Sequence, residues 1–489
     1  MLDRLVADGI TFDDILLVPA RSAVVPAELD TSTNLTRRIR LKIPLVSAPM
    51  DTVTEADLAI ALAQEGGLGF IHKNLSVEAQ AREVEKVKRS ESGIITDPIT
   101  LPATESTATA RRLMTDHDVS GIPIVEEGGH LVGILTRRDL KFLSADRLIG
   151  DVMTRENLVT APPETSLDKA ETILNRHKVE KLLLVDDGGR LAGLITMRDI
   201  DRLRQFPQSC KDARGRLRVG AAVGVLEFER VEALIDREVD VLVIDTSHGH
   251  KDVVLETVRK IKASHDIDVI AGNIATADAA RDLIEAGADG LRVGIGPGAI
   301  CTTRVVTGVG VPQITAVAEC ARAAEPHSVP VIADGGIRHS GDITKAIAAG
   351  ASLVMMGSLF AGLDESPGKM IIYRGRRFKT YRGMGSMDAM LNGSAGRYGQ
   401  EGVVERNKLV PEGVEGRVPY RGPLGDFVHQ LMGGLRSGMD HCGTSTTEAL
   451  RTRATFIRVS AATVAESHPH GIQITHESPN YTVPTAEGD

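Results

Sequence analysis

One cysteine stands in a glycine-rich turn that could present a reactive thiol. Residues Gly294 to Arg304 read GIGPGAICTTR, with Cys301 towards the end of the turn. Glycines at this density allow φ > 0 and a close approach of backbone to a ligand, which larger residues would prevent. The apolar run 291–295 predicts a buried strand, so Cys301 lies where a strand ends. We therefore interpret the segment as a loop that carries a cysteine nucleophile. Gly294-Ile295-Gly296 also begins like a dinucleotide fingerprint, but no helix with a third glycine follows at the required spacing.

The composition indicates a multidomain protein that acts on small molecules. A chain of 489 residues exceeds what one hydrophobic core usually holds. A net charge of −9 and scattered basic residues argue against a nucleic-acid surface. Without an apolar leader or a run of eighteen uncharged apolar residues, we expect a soluble, cytoplasmic protein with no membrane partner. Four cysteines without CxxC spacing predict neither disulfides nor structural zinc, and three are expected to be small buried hydrophobes: Cys210, Cys320 and Cys442.

Short apolar runs and amphipathic segments alternate along most of the chain. The helices end at glycines such as Gly287 and Gly350, and Thr54 is the predicted N-cap of the first helix. This repeat predicts an α/β fold, a parallel (β/α)8 TIM barrel, with a doubly wound open sheet as the alternative. The barrel is favoured because polar residues and glycines cluster after the strand ends, which a barrel brings to one face. Eight strands are predicted, at 44–47, 68–72, 219–223, 241–245, 269–272, 290–294, 329–334 and 353–357.

An internal repeat interrupts this alternation between the second and third strands. Residues 119–140 match residues 179–200 at a constant offset of sixty, and both copies turn at an acidic-Gly-Gly sequence typical of a hairpin. The repeat resembles a tandem CBS (Bateman) module spanning about 92–205, with copies at about 92–145 and 149–205. The remaining barrel parts are then 1–91 and 206–489. The resemblance implies a regulatory site for purine nucleotides, while the alternative is that its two aspartates only cap helices. The implied residues are Thr136, Asp139, Thr196 and Asp199.

The loops after the last two predicted barrel strands indicate an anion site. Gly335-Gly336 and Gly357-Ser358 offer backbone amides where barrels often bind phosphate. Asp334 has the wrong charge for phosphate but suits the hydroxyls of a ribose. Together these groups predict a nucleotide, and the alternative is that the glycines only turn the chain.

Long motifs resemble the inosine monophosphate (IMP) dehydrogenase family over nearly the whole chain. They are SAPMDTVTE at 47–55, the cysteine turn, VPVIADGG at 329–336, YRGMGSM at 381–387 and the inserted repeat. The resemblance implies oxidation of IMP to xanthosine monophosphate, the committed step of guanine nucleotide synthesis. In that reaction Cys301 bonds to C2 of the purine, hydride passes from C2 to NAD, and water hydrolyses the resulting thioimidate.

The resemblance also implies a role for individual residues. Water activation falls to Arg397 and Tyr398 in a mobile lid at about 386–415, or to Thr303 relayed to Glu412. Both routes stay open, because neutral guanidine near pH 7.5 would cost roughly 7 kcal/mol in open water. Substrate contacts are implied for Met50, Asp334, Gly335, Gly336, Gly357, Ser358, Tyr381, Gly383, Met384, Gly385 and Glu412. Contacts with NAD are implied for Asp245, Ser247, Asn273, Gly294, Ile295 and Gly296.

A monovalent cation and an oligomer follow from the same resemblance. Carbonyl groups of Gly296, Gly298 and Cys301 would form half of a potassium site. A neighbouring subunit of a homotetramer would complete it with Glu466, Ser467 and His468, and stacking of tetramers into octamers is left open. A zinc pair at 468–470 or 248–250 is the weaker interpretation, since no partners are spaced to finish a tetrahedron.

Three positions depart from the family pattern. Ala299 stands in place of a serine that donates to the phosphate, which predicts a loss of roughly 1.5–3 kcal/mol in IMP binding. Gly396 and Gly399 flank the Arg-Tyr pair and predict a lid that costs more entropy to close. Two rival functions are considered. Guanosine monophosphate (GMP) reductase normally lacks the inserted pair and the Arg-Tyr lid, and a catalytically silent nucleotide sensor would not need Cys301.

Overall fold

The computed structural model describes residues 8–25, 28–90, 95, 98–117, 119–143, 146–403, 405–476 and 478–481. The chain divides into two compact units. One unit comprises residues 1–88, 208–210 and 217–489, and the other comprises residues 89–207 and 211–216. Each unit has its own hydrophobic core.

The larger unit is built on eight parallel strands. They are β1 Leu45–Ser47, β2 Phe70–Ile71, β3 Gly220–Val223, β4 Val241–Asp245, β5 Asp268–Ile274, β6 Gly290–Val293, β7 Val331–Asp334 and β8 Leu353–Met356. Each strand from β2 to β8 pairs with its neighbour in sequence, and β8 pairs with β1. A parallel bridge between Val46 and Leu68 closes the ring between β1 and β2. The predicted barrel is therefore confirmed, and the open-sheet alternative is wrong.

Barrel strands read as continuous apolar runs because both of their faces are buried. Alternate side chains fill the inside of the ring, among them Val46, Phe70, Val243, Ile270 and Met355. The intervening side chains pack outwards against the helices. Interior filling of this kind makes the ring a solid core, so ligands bind at its rim.

One of eight longer helices follows each strand of the ring along the chain. They are α1 Ala56–Gln64, α2 Val77–Ser90, α3 Phe228–Ile235, α4 Asp252–Ser264, α5 Ala277–Glu285, α6 Gln313–Ala324, α7 Ser340–Ala348 and α8 Leu424–His441. The predicted N-cap of α1 is wrong, because the cap residue is Glu55. The Thr54 hydroxyl instead donates to the Ala48 carbonyl at 2.7 Å. Thr54 therefore braces the loop that follows β1.

A three-stranded antiparallel sheet and a long loop precede α8. The sheet contains β9 Met370–Tyr373, β10 Arg376–Arg382 and β11 Glu415–Pro419. Between β10 and β11 lie the short helix Met387–Leu391 and the 3-10 turns Ser394–Tyr398 and Arg406–Lys408. Helices Thr447–Arg453 and Ala461–Ser467 follow α8, and strand Phe456–Arg458 pairs with Ile15–Leu17 near the N-terminus. Residues 471–476 and 478–481 contain no strand.

The smaller unit contains two copies of one hairpin arrangement. Strands Gly121–Val125 and Leu131–Thr136 form the first hairpin, and Lys181–Val185 and Leu191–Thr196 form the second. Thr160–Ala161 adds a parallel strand to the second hairpin. Its helices are Thr107–Asp116, Arg137–Leu140, Leu167–His177 and Met197–Gln205. A bridge between His130 and Arg190 joins the two hairpin ends, so the copies pack as a pair, as the repeat predicted. Over the described part of the whole chain, no helix is both long enough and apolar enough to span a bilayer.

Candidate active site

The carboxyl ends of the barrel strands surround a cleft. The end of β5 and the loops after β1, β4, β6, β7 and β8 line it, together with segment 381–385, the lid and Glu412. The structure brings together in this cleft almost every residue that the sequence assigned to catalysis or ligand binding. Among the residues assigned to the barrel, the exceptions are Asp245, which lies behind the cleft wall, and the group Glu466, Ser467 and His468. The four residues assigned to a regulatory nucleotide belong to the smaller unit: Thr136, Asp139, Thr196 and Asp199.

Cys301 is half-buried in the cleft wall and has no disulfide partner. Its Sγ lies 3.2 Å from Thr303 Oγ1, and that hydroxyl donates to Glu412 Oε2 at 2.8 Å. The thiol, the hydroxyl and the carboxylate thus form a continuous hydrogen-bonded row that a proton can follow. Elsewhere in the barrel unit, burial raises the pKa of Cys210 and of Cys320 to about 12 each. Those two remain thiols at physiological pH, as their expected role in the core requires.

Glu412 reaches the cysteine turn through backbone pairing. The Thr302 N–H donates to the Glu412 carbonyl at 3.0 Å, and the Val414 N–H donates to the Ile300 carbonyl at 3.1 Å. On the other side, the Glu412 N–H donates to the Gly385 carbonyl at 3.0 Å. The end of the long loop is therefore fixed between the cysteine turn and the YRGMGSM segment.

The loops after β7 and β8 place several amide groups at one end of the cleft. Gly335 and Gly336 have φ of 93° and 82°, a backbone conformation that residues with a side chain rarely adopt. A Cβ added at Gly357 would lie 2.9 Å from the Tyr381 hydroxyl, so only glycine fits there without displacing that phenol. Burial raises the pKa of Tyr381, which therefore stays a neutral hydrogen-bond donor. This end of the cleft can receive a phosphate.

A buried arginine that sequence reasoning missed joins two of the assigned aspartates. Arg292, with 4% of its side chain exposed, donates through Nε to Asp334 Oδ2 at 2.8 Å. Its Nη1 donates to Asp245 Oδ1 at 2.5 Å. Asn273 Nδ2 also donates to Asp334 Oδ2, at 2.7 Å, which leaves Oδ1 of Asp334 for a ligand. The signal that could have found Arg292 is a charged residue in the middle of an apolar strand.

The lid packs against Asp245, one of the two carboxylates that Arg292 joins. Arg397 forms an ion pair with Asp245, and its carbonyl accepts a hydrogen bond from the Ser247 N–H at 3.2 Å. Tyr398 packs on Gly385, where an added Cβ would lie 2.7 Å from the ring, and burial raises its pKa. In this state the lid covers two residues that the sequence assigned to NAD.

Two lid glycines have different surroundings. A Cβ at Gly396 would lie 2.2 Å from Glu401 Oε1, so Glu401 occupies the space that a side chain at 396 would need. Gly399 ends the turn with φ of 68° and has open space around it. Glycine at 396 thus permits the packing of Glu401, and glycine at 399 permits the left-handed end of the turn.

The two halves of the implied cation site lie apart in this chain. Gly296, Gly298 and Cys301 are in the turn, where the Gly298 carbonyl accepts from the Cys301 N–H at 3.1 Å and keeps a second lone pair. His468 instead lies beside Tyr481, with Nδ1 2.9 Å from the phenol oxygen. Across the described residues, no group of three or more His, Cys, Asp and Glu side chains could hold a metal ion.

Comparison with known proteins identifies the family. The family model described as the IMP dehydrogenase / GMP reductase domain matches residues 9–470. The chain belongs to this family. Among curated IMP dehydrogenases, the family member from Rhodopirellula baltica is 62% identical over 100% of this chain and 91% of its own length. The IMP dehydrogenase of Bacillus subtilis is 58% identical over 97% of this chain and 98% of its own length. The resemblance inferred from the motifs is confirmed.

A solved member of the IMP dehydrogenase / GMP reductase family bears on the rival function. The crystal structure of GMP reductase from Trypanosoma brucei, in complex with guanosine 5'-monophosphate, superposes with a TM-score of 0.87 at 40% identity. The superposition covers 96% of this chain and 100% of the reductase chain. The reductase therefore also matches the inserted repeat. The inserted pair therefore does not separate the two activities, contrary to the expectation from sequence.

Proposed function

We propose that this protein oxidises IMP to xanthosine monophosphate with NAD, through a covalent bond between Cys301 and C2 of the purine. The observation that carries this proposal is the row Cys301, Thr303 and Glu412, which meets Asp334 and the Arg397–Tyr398 lid in one cleft. The curated relatives named IMP dehydrogenase at 58–62% identity support the same reaction.

IMP lies along the cleft with its phosphate at the loops after β7 and β8. The phosphate accepts from amides of 335–336 and 357–358 and from the Tyr381 hydroxyl. The ribose hydroxyls donate to the free Oδ1 of Asp334, and the backbone of Met384 and Gly385 meets the base. Met50, whose Sδ lies 3.9 Å from the Tyr381 hydroxyl, packs on the purine. Ala299 offers no hydroxyl to the phosphate.

The proposed cofactor site contains an unpaired polar atom, Asn273 Oδ1, that can bind NAD. Asn273 donates both Nδ2 hydrogens, to the Gly294 carbonyl at 3.0 Å and to Asp334. Its Oδ1 is buried and has no protein partner, so it can accept from an amide or hydroxyl of the nicotinamide riboside. When bound, NAD supplies the hydride acceptor. Asp245, Ser247 and the 294–296 backbone form the rest of this site once the lid has left it.

Hydrolysis of the thioimidate needs a group that takes a proton from water. Glu412 receives it through Thr303, because the carboxylate accepts from the hydroxyl that faces the cysteine. Arg397 is paired with Asp245 in the closed lid, an arrangement that supports a charged guanidinium which orients the water beside Tyr398. We propose Thr303 and Glu412 as the proton route. Comparing the hydrolysis rates of Arg397→Ala and Glu412→Gln across pH tests the division, and Glu412→Gln should slow hydrolysis more than Arg397→Ala does.

The decisive assay is formation of NADH from IMP. A mass increase on Cys301 after mixing with IMP and NAD should accompany it, and Cys301→Ala should abolish both. Consumption of NADPH with release of ammonia from GMP would show the reductase reaction instead. A protein that binds IMP but shows neither turnover nor an adduct would be the silent sensor.

We also propose that residues of about 92–205 form a CBS pair that binds purine nucleotides and regulates a barrel made from 1–91 and 206–489. The side chain of Lys181 is 9% exposed, and the carboxylate of Glu180 lies 4.0 Å away. Burial lowers the pKa of Lys181, and the charges of Arg138 and Arg137 act in the same direction, while the charges of Glu180 and Asp199 oppose them. A buried cation beside other cations favours an anionic ligand such as a nucleotide phosphate.

The aspartates of this pair are compatible with that site and with the capping alternative. Asp139 Oδ2 accepts from the Thr136 N–H at 2.7 Å and from its hydroxyl at 2.8 Å, which leaves Oδ1 for a ribose. Asp199 Oδ2 accepts from the Thr196 hydroxyl at 2.5 Å. Titration calorimetry with ATP and GTP on the full chain distinguishes a nucleotide site from helix capping, since capping alone predicts no binding of either nucleotide.

A potassium ion and a homotetramer complete the proposal. The carbonyls of the cysteine turn supply three ligands, and Glu466, Ser467 and His468 of the partner subunit supply the others. Activity in potassium should exceed activity in lithium at equal ionic strength, and mass photometry should give four copies. Because its proposed substrates are free nucleotides, we place the protein in the cytoplasm.

A further inference from the structure

An ion pair behind the cleft wall joins the loop after β1 to the end of β10, and both segments would touch IMP. Arg382 Nε lies 3.1 Å from each carboxylate oxygen of Asp51, and its Nη2 donates to Oδ2 at 2.6 Å. Only 6% of the Asp51 side chain is exposed. A planar guanidinium that contacts both oxygens fixes the relative orientation of the two backbones as well as their distance.

Each partner is the direct neighbour in sequence of a cleft residue. Asp51 follows Met50, while Arg382 follows Tyr381 and precedes Gly383. The Arg382 N–H also donates to Thr52 Oγ1, at 3.3 Å. The lining of the cleft contains Met50, Tyr381 and Gly383 but neither member of the ion pair. The pair therefore sets the distance between the residue that packs on the purine and the backbone that meets its edge.

A third residue connects this pair to the start of the lid. Asn74, after β2, donates through Nδ2 to Asp51 Oδ2 at 2.7 Å. Its Oδ1 is buried without a protein partner, and a Cβ added at Gly393 would lie 2.9 Å from that oxygen. Gly393 has φ of 120°, and the next residue, Ser394, bonds through its hydroxyl to the Met384 carbonyl. Asn74 thus packs where the lid leaves the base-binding loop.

We propose that Asp51, Asn74 and Arg382 are positioning residues that hold the Met384–Gly385 backbone and the base of the lid against the purine without touching it. This inference rests on the proposed function. It predicts that weakening the cluster lowers the affinity for IMP more than it slows hydride transfer, because Cys301 belongs to a different loop.

Asp51→Asn is the main test, and Asp240→Asn is the matched control. Asp240 lies before β4, at the far end of the barrel, and its Oδ2 is 2.9 Å from the buried Lys88 Nζ. Both variants remove one charge from a buried pair, so both should lower the melting temperature. Only Asp51→Asn should raise the KM for IMP, by about tenfold or more, which corresponds to about 1.4 kcal/mol. Its hydride burst at saturating IMP should stay within about threefold of the parent protein.

A double-mutant cycle and a conservative variant complete the test. In Asp51→Asn with Arg382→Gln, the rise in KM should be smaller than the product of the two single effects, because the partners are coupled. Asp51→Glu should recover part of the affinity. If Asp51→Asn does not fold, Asn74→Ala should still raise the KM for IMP several-fold, because it removes the hydrogen bond to Asp51.

An unchanged KM for IMP in a folded Asp51→Asn, or an equal shift in Asp240→Asn, would overturn the inference. The parent protein is assayed first for NADH formation, so that failure of the proposed function is seen separately. In that event, calorimetric affinity for IMP in the parent and in Asp51→Asn decides the role of the cluster: a weaker variant supports it and an equal one refutes it.

Discussion

Replacing Thr303 with valine isolates the proton route from the nucleophile. Valine keeps the shape of threonine but removes the hydroxyl that donates to Glu412 Oε2 at 2.8 Å. A hydrogen bond to a charged acceptor contributes roughly 1.5–3 kcal/mol, and each 1.4 kcal/mol is about tenfold in rate. If the hydroxyl carries the water proton, hydrolysis should slow by about 10- to 150-fold.

Hydride transfer should respond much less to the same change. The thiol of Cys301 loses only an acceptor at 3.2 Å, and a sulfhydryl is a weak donor. Rapid-mixing measurements should therefore show a burst of NADH at a rate within about threefold of the parent protein, followed by a slow steady state. Mass spectrometry should find the purine adduct accumulating on Cys301.

Thr303→Ser is the matched control, because it keeps the hydroxyl and should restore most of the steady-state rate. The reasoning is refuted if Thr303→Val turns over within about twofold of the parent protein. It is equally refuted if the burst slows by the same factor as the steady state, since the hydroxyl would then act before hydrolysis.

Three further predictions concern thiols, ribose and regulation. Iodoacetamide at pH 8 should label Cys301 in the native protein, and IMP should protect Cys301 from this reaction. Cys210 and Cys320 should react only after unfolding, because burial raises the pKa of each to about 12. Peptide mapping can check which cysteines are labelled. Asp334→Asn should raise the KM for IMP by about 10- to 100-fold, because the amide cannot accept as strongly from ribose and leaves Arg292 with one carboxylate; an unchanged KM would exclude the ribose contact. Lys181→Met should weaken ATP or GTP binding measured by calorimetry by about tenfold while NADH formation without nucleotide is unchanged, and equal nucleotide affinity would exclude Lys181 from the site.

Several features of the fold were determined by local sequence. Buried parallel strands must be apolar on both faces, and helix ends need glycine, so the alternation of these signals predicted all eight strands. The hairpins of the inserted unit were predictable from the acidic-Gly-Gly sequence, because only a few turn types accept it. Strand bounds shifted by a few residues, and the N-cap at Thr54 was wrong because its hydroxyl had a better partner in the Ala48 carbonyl.

The site divides in the same way between local and tertiary information. Its glycines and Cys301 were predictable, because a turn that approaches a ligand closely requires particular residue types within a few positions. Arg292 between two aspartates and Asp51 against Arg382 were not predictable from spacing. The pairing of Glu412 with a threonine 109 residues away was implied by the family resemblance alone. Such partners are chosen by the closing of the barrel, which brings distant strand ends to one rim. The sequence therefore determined which groups could react, and only the tertiary structure decided which of them face one another.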